Sequence, residues 1–152
     1  MPKASAIFST GVECIFSVGG ANQKSCWQAA SEATGNKWVI SPDTDGTGLS
    51  DKCLTSALKE LALSVQVALD DLYNNNGAKY YGKVNVGTVQ DKMVGLAPNF
   101  SRFKKFTEAD YNAIYAKLVS GEVKVGMPTE DFSKTAGTGS IVMSNVTIEY
   151  ID

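Results

Sequence analysis

The chain has no histidine and only three cysteines, Cys14, Cys26 and Cys53. Without histidine, a Ser-His-Asp or Cys-His nucleophile system is excluded. A zinc site is excluded on similar grounds, because such sites draw about four ligands from Cys and His and no C-x-x-C pair occurs here. An odd number of cysteines fits buried thiols better than a disulfide framework, with a Cys26–Cys53 bridge as the alternative. No apolar run approaches the roughly 18 residues of a membrane span. The first residues, Met1-Pro2-Lys3-Ala4-Ser5-Ala6, lack both the apolar stretch and the cleavage site of a signal peptide. That points to a cytoplasmic protein or to a processed piece. Basic clusters are missing too. Lys104-Lys105 is the densest basic spot, and with a net charge of −2 it reads as a solvated face rather than a nucleic-acid footprint.

What is present describes an ordinary globular domain. The 152 residues are 43% apolar and 20% charged, enough to bury a core and too apolar for disorder. Residues 13–18 form a short apolar run ending at Gly19-Gly20, which predicts a buried strand and a glycine turn. Residues 22–34 predict a helix, with Asn22 as N-cap, Trp27, Ala30 and Ala33 on one face, and Gly35 as its stop. Lys37–Ser41 predicts a second strand, and Pro42–Gly48 a loop. Strand, helix and strand make a βαβ unit with a right-handed crossover. Ligands of such sheets sit at the carboxyl ends of the strands, where Gly19, Gly20 and Asp43 fall.

Residues 51–75 carry Leu54, Leu58, Leu61, Val65, Leu69 and Leu72 at helical spacing and predict one long helix, ended by Asn74–Gly77. Two extended pieces follow, Val84–Gly87 and Met93–Leu96, and then a loop over Pro98–Phe106. Thr107 caps a predicted helix running through Val119, with Glu108 and Asp110 suited to the dipole of its first turn and Ser120-Gly121 as its stop. Val123–Val125 reads as a short strand, residues 131–139 as a polar loop, and Ile141–Ile151, with its alternation, as a final edge strand.

One motif carries an enzymatic reading. Val39 to Leu49 is an apolar run followed by Asp43-Thr44-Asp45-Gly46-Thr47, which resembles the first motif of haloacid-dehalogenase-type phosphatases. There the first aspartate is nucleophile, the second is general acid, and Mg²⁺ binds alongside. Further acidic ligands are needed, and the only Asp pair, Asp70-Asp71, lies inside the long predicted helix, where a solvated face is expected. The loop also half-matches a calcium-binding EF-hand, but Leu54 stands where a bidentate Glu is required. The plainer reading is a polar turn in which Ser50 or Asp51 caps a helix.

Taken in order, the segments Gly11–Phe16, Gly19-Gly20, Trp38–Asp45, Leu54–Lys59, Val94–Ala97 and Ser120–Val125 resemble the basic membrane protein family, the purine nucleoside receptors of ABC transporters. The likeness spans about residues 11 to 126 and corresponds to the carboxy-terminal portion of such a receptor. The resemblance implies an α/β fold: a parallel-sheet, three-layer lobe of a type I periplasmic-binding-protein fold, with the first lobe missing. It implies a single domain over residues 1–152, whose helix at about 60–75 contacts that missing lobe. Asp43 matches the aspartate that accepts ribose hydroxyls, a task suited to an acceptor-only carboxylate. Lys59 matches the lysine that reaches the nucleoside, and Gly19 and Gly20 match a turn where backbone approaches the ligand.

Phe16 is a candidate aromatic near the base, with a core phenylalanine as the competing reading. An exposed helical lysine is the competing reading of Lys59. The implied partners are a purine nucleoside (guanosine, inosine or adenosine), the transporter permease, and either a second copy or the absent lobe. No cofactor, metal or enzymatic activity is implied. The implied location is extracytoplasmic, as a membrane-anchored lipoprotein. The alternative functions are a Mg²⁺-dependent phosphatase built on Asp43 and Asp45, or an assembly module without a ligand.

Overall fold

The structure, a computed structural model, describes residues 2–125. Its elements run α1 (Pro2–Ser9), β1 (Cys14–Phe16), α2 (Asn22–Glu32), β2 (Trp38–Asp43), β3 (Cys53–Lys59), α3 (Leu61–Asn75), β4 (Val94–Leu96) and α4 (Glu108–Ser120). One four-stranded sheet has the order β1-β2-β3-β4, parallel across the first three strands and antiparallel between β3 and β4. The expected βαβ unit is there, with Cys14 opposite Trp38 and Phe16 opposite Ile40.

The core lies between the sheet and the α1–α2 pair. Ala4 and Phe8, four residues apart on α1, meet Trp27, Ala29 and Ala30 of α2 over Val39 and Cys53. That spacing places both α1 residues on one helix face. The helix ends where Ser9 and Thr10 return their hydroxyls to the Ala6 and Ile7 carbonyls and Gly11 takes a left-handed turn at φ 98°. The sequence reading assigned nothing to residues 2–9. Helix α2 starts at Asn22, with Ala21 rather than Asn22 in the capping position and no side-chain cap.

Strand β2 runs past Ser41 through Pro42 to Asp43, further than expected. Pro42 is tolerated because of its side of the strand. Ile40 faces β1, where its carbonyl accepts from Ser17 N–H at 3.1 Å, and Pro42 shares that orientation beyond the end of β1. The missing amide donor therefore faces no strand.

The predicted helix over 51–75 is overturned in its first part. Residues 53–59 are β3, and the helix begins only at Leu61. Leu54 and Leu58 sit four apart, which satisfies a helix and equally one face of a strand. The buried residues of β3 are Cys53, Thr55 and Ser56, small side chains that hydropathy spacing passes over. No capping side chain marks the boundary, since Glu60 makes no cap hydrogen bond. With β3 a strand, Ser50 caps no helix. Its hydroxyl accepts from Lys52 N–H inside the loop.

The connection over residues 44–52 joins two parallel neighbours without a helix and runs under the sheet. Gly46 N–H bonds Ser56 Oγ at 2.9 Å, and a Cβ at Gly46 would lie 2.8 Å from Trp27 and 2.9 Å from Ser41 Oγ. Arg102 fastens the loop from outside. Its guanidinium donates to the carbonyls of Thr47 and Ser50, at 3.0 and 2.9 Å, and to that of Cys53.

Helix α4 follows the expectation closely. Thr107 and Asp110 form a reciprocal capping box, and Gly121 closes the helix at φ 77°. The Asp110 carboxyl is held below its ordinary range by the Thr107 hydroxyl and backbone N–H. Phe100, Phe103, Phe106 and Tyr111 stack with centroids 5.4 to 6.1 Å apart. The predicted strands at Val84–Gly87 and Val123–Val125 are not formed. A strand needs a neighbour, and Val84 is 96% exposed.

Asp71 is buried instead of lying on a solvated face. Its carboxylate accepts from Lys79 and Tyr80 N–H at 3.0 and 2.9 Å, fixing the turn after α3. All three cysteines are free, so the Cys26–Cys53 bridge is not formed, and of the expected buried thiols only Cys53 is buried, while Cys26 is half-buried and Cys14 exposed; partial desolvation pushes the Cys14 and Cys26 thiols up. No helix among the described residues is long and apolar enough to cross a membrane. The polar loop at 131–139 and the strand at Ile141–Ile151 lie outside the described residues.

A candidate ligand cleft at the carboxyl edge of the sheet

Strands β1, β2 and β3 point their carboxyl ends the same way, and each delivers one element of a shared cleft. From β1 come Phe16 and the turn Gly19-Gly20, from β2 Asp43, and from β3 Lys59. Val94 and Gly95 of β4 complete the walls around a volume of about 430 Å³. All five residues singled out in the sequence therefore meet in one place. Lys59 ends a strand and is not a helical lysine. Phe16 is 51% exposed, so it is not a core phenylalanine.

The glycine turn has a local cause. Gly19 and Gly20 sit at φ 148° and 57°, conformations that a side chain strains. Both positions therefore favour glycine whatever the cleft holds.

The register sets the charged pair. Asp43 lies opposite Leu58, so Lys59 stands one residue beyond it on the neighbouring strand. Lys59 Nζ lies 2.6 Å from Asp43 Oδ1. Among the described residues this ammonium is the carboxylate's one polar partner, although Oδ1 is itself buried. Acceptor capacity of the carboxylate is left unused. The lysine side chain is 64% exposed and the aspartate 37%, so solvent weakens the attraction and the pair contributes at most about 1 kcal/mol to stability.

Asp43 also holds φ at 69°, in the left-handed region. A non-glycine residue there costs on the order of 1–2 kcal/mol. Such strain gathers where a side chain must be aimed.

Asp45 does something else. Its Oδ1 accepts from Thr47 N–H and Thr47 Oγ1 at 2.8 and 2.7 Å, a turn formed within the loop. Among the described residues no group of three His, Cys, Asp or Glu is placed to hold a metal ion. The sequence reading did not mark Val94 and Gly95 as part of the site, although they lie in the extended Met93–Leu96 piece and in the family-like segment Val94–Ala97.

Over residues 2–128 the chain matches the family described as Bmp: ABC transporter substrate-binding protein PnrA-like. The chain belongs to this Bmp family. Among solved structures, the crystal structure of ABC transporter system solute-binding proteins from Aeropyrum pernix K1 is similar, with a TM-score of 0.66 and 16% identity. The match covers 85% of this chain and 44% of that one, so the chain spans less than half of its length. At that identity the likeness is one of fold. No curated protein matches the chain. The Bmp assignment and this neighbour agree with the α/β sheet described above.

The strain at Asp43 is separable from its charge. Asp43→Gly and Asp43→Ala both remove the carboxylate, but only glycine accepts φ 69° freely. Asp43→Gly is expected to be the more stable variant by about 1 kcal/mol in urea unfolding. Equal stabilities would show that the backbone relaxes out of the left-handed region.

Proposed function

We propose that this Bmp-family chain recognises a purine nucleoside at the Asp43–Lys59 cleft, as part of a solute-binding protein serving an ABC transporter. The observation that carries the reading is the carboxylate at the strand edge, backbone-strained, paired among the described residues only with Lys59, and lining a cleft. In this reading Asp43 accepts hydrogen bonds from the two ribose hydroxyls. Lys59 donates to the same ligand. The glycine turn lets backbone come close to the sugar, and the half-exposed Phe16 ring stacks on the base. Each hydrogen bond to the charged carboxylate contributes about 1.5–3 kcal/mol once water is excluded. Water is excluded when a second lobe closes over the cleft.

The proposal includes that second lobe. Leu61, Val65, Leu69 and Leu72 lie along one side of α3 and are 47–58% exposed. A stripe of this kind is covered in the working protein. The lobe that closes the cleft is its proposed cover, with the transporter permease as the further partner and an extracytoplasmic, lipid-anchored setting. In sedimentation, the chain alone is expected to self-associate as concentration rises, and Val65→Lys combined with Leu69→Lys to abolish this. A clean monomer at every concentration would contradict the covered face.

Calorimetric titration with guanosine, inosine and adenosine tests the ligand, with ribose and a pyrimidine nucleoside as controls. Saturable, purine-selective heat is expected, weakened about 10- to 100-fold in Asp43→Ala. Binding unaffected by Asp43→Ala would remove the cleft from the account.

A further inference from the structure

Asp43 is held by more than its strand. Thr44 N–H donates to the Pro42 carbonyl at 2.8 Å, which closes a turn over a single residue, and that residue is Asp43 at φ 69°. Closure over one residue with positive φ is the rare, strained kind of γ-turn. Such a turn persists only where its surroundings over-determine it. On one side the pairing of Asp43 with Leu58 fixes the backbone. On the other side the strain falls on the loop 44–52.

Arg102 governs that loop. Its guanidinium reaches the Thr47 and Ser50 carbonyls inside the loop and the carbonyl of Cys53, the first residue of the strand that ends in Lys59. A guanidinium carries five donors in fixed directions, whereas a lysine has its three on one nitrogen and cannot span such a set. The arginine is itself presented on a fixed turn. Asn99 Oδ1 accepts from the Ser101 N–H and hydroxyl at 3.1 and 2.7 Å, and Phe103 N–H closes on the Phe100 carbonyl at 3.1 Å. The Phe100 ring packs on Phe103 and on Tyr111 of α4, with centroids 6.0 and 5.6 Å away.

We propose that Arg102 is a positioning residue for ligand recognition: through the loop it clamps, it keeps Asp43 in the γ-turn that aims the carboxylate at the edge cleft. The binding half of this statement rests on the reading of that cleft as the nucleoside site, and the conformational half does not. Arg102 is not among the residues that line the cleft, so its effect travels through the loop. With the clamp gone, the loop no longer opposes relaxation, and Asp43 returns to the extended backbone of the strand it ends. Its side chain then swings away from Lys59 and from the ligand. Binding must restore the turn, and affinity falls by that cost.

NMR of the full chain tests the conformational half. A residue with positive φ gives a strong cross-relaxation peak between its own amide and α protons, which lie close together there. The unmodified chain is expected to show this peak at Asp43, and Arg102→Met and Arg102→Lys to lose it. Arg102→Lys keeps the charge and the apolar stem, so a loss there reports the planar fork. Asp71→Asn, which loosens a buried turn elsewhere, is expected to keep the peak. In calorimetric titration with inosine, Arg102→Lys weakens binding on the order of 10-fold, and weakens it no further in a chain already carrying Asp43→Ala. A peak missing at Asp43 in the unmodified chain, or kept in both Arg102 variants, would overturn the proposal. So would an affinity loss from Arg102→Lys that persists in full beside Asp43→Ala. An unmodified chain that binds no inosine overturns the nucleoside reading and the binding half with it, while the peak still decides the hold of Arg102 on Asp43.

Discussion

The parallel pairing of β2 with β3 is the constraint on which the rest of this structure depends. Two parallel neighbours are normally joined by a long crossover with a helix. Here residues 44–52 make the return alone, and they fit only because the loop passes under the sheet through a gap too narrow for a side chain at Gly46. The Gly46–Ser56 hydrogen bond and the Arg102 guanidinium, on three loop and strand carbonyls, hold it there. With the loop fixed, the register cannot slip, and a slip of one residue would turn every side chain of β3 to the other face. The same register brings Asp43 and Lys59 to the sheet edge side by side.

That edge is organised around one charge. The ion pair stabilises little where solvent reaches both groups, so fold stability does not explain its presence. In the proposed reading, the positive φ of Asp43 and the unused acceptor capacity of its carboxylate serve hydroxyl donors of a ligand. The half-exposed apolar face of α3 and the open outer wall of the cleft fit a chain that spans less than half of its solved structural neighbour.

Much of this was legible in the residues. The βαβ unit, the glycine turn, the Thr107 cap and the position of Asp43 at a strand end all carry local chemical signatures, and the structure has them. Three features carried weaker signals. Strand β3 was hidden because Leu54 and Leu58 fit two periodicities and its buried residues are Cys, Thr and Ser. Helix α1 rests on two residues, Ala4 and Phe8, whose role appears only against Trp27 and Val39. Pro42 spoke for a loop because the side of the strand it faces is a tertiary fact. Of the cleft, β1 and β2 were readable, while β3 was read as helix and the β4 wall depended on an antiparallel pairing that short-range pattern does not encode.

The central claim is that ligand recognition resides at the edge cleft. The most direct measurement is a ¹⁵N-resolved NMR titration of the chain with inosine, read at individual backbone amides. The account predicts saturable shifts concentrated at Gly19, Gly20, Asp43, Lys59 and Gly95, with Asp45 and Asp71 unmoved. Shifts centred away from those strand ends, or none in a folded sample at millimolar ligand, would contradict it.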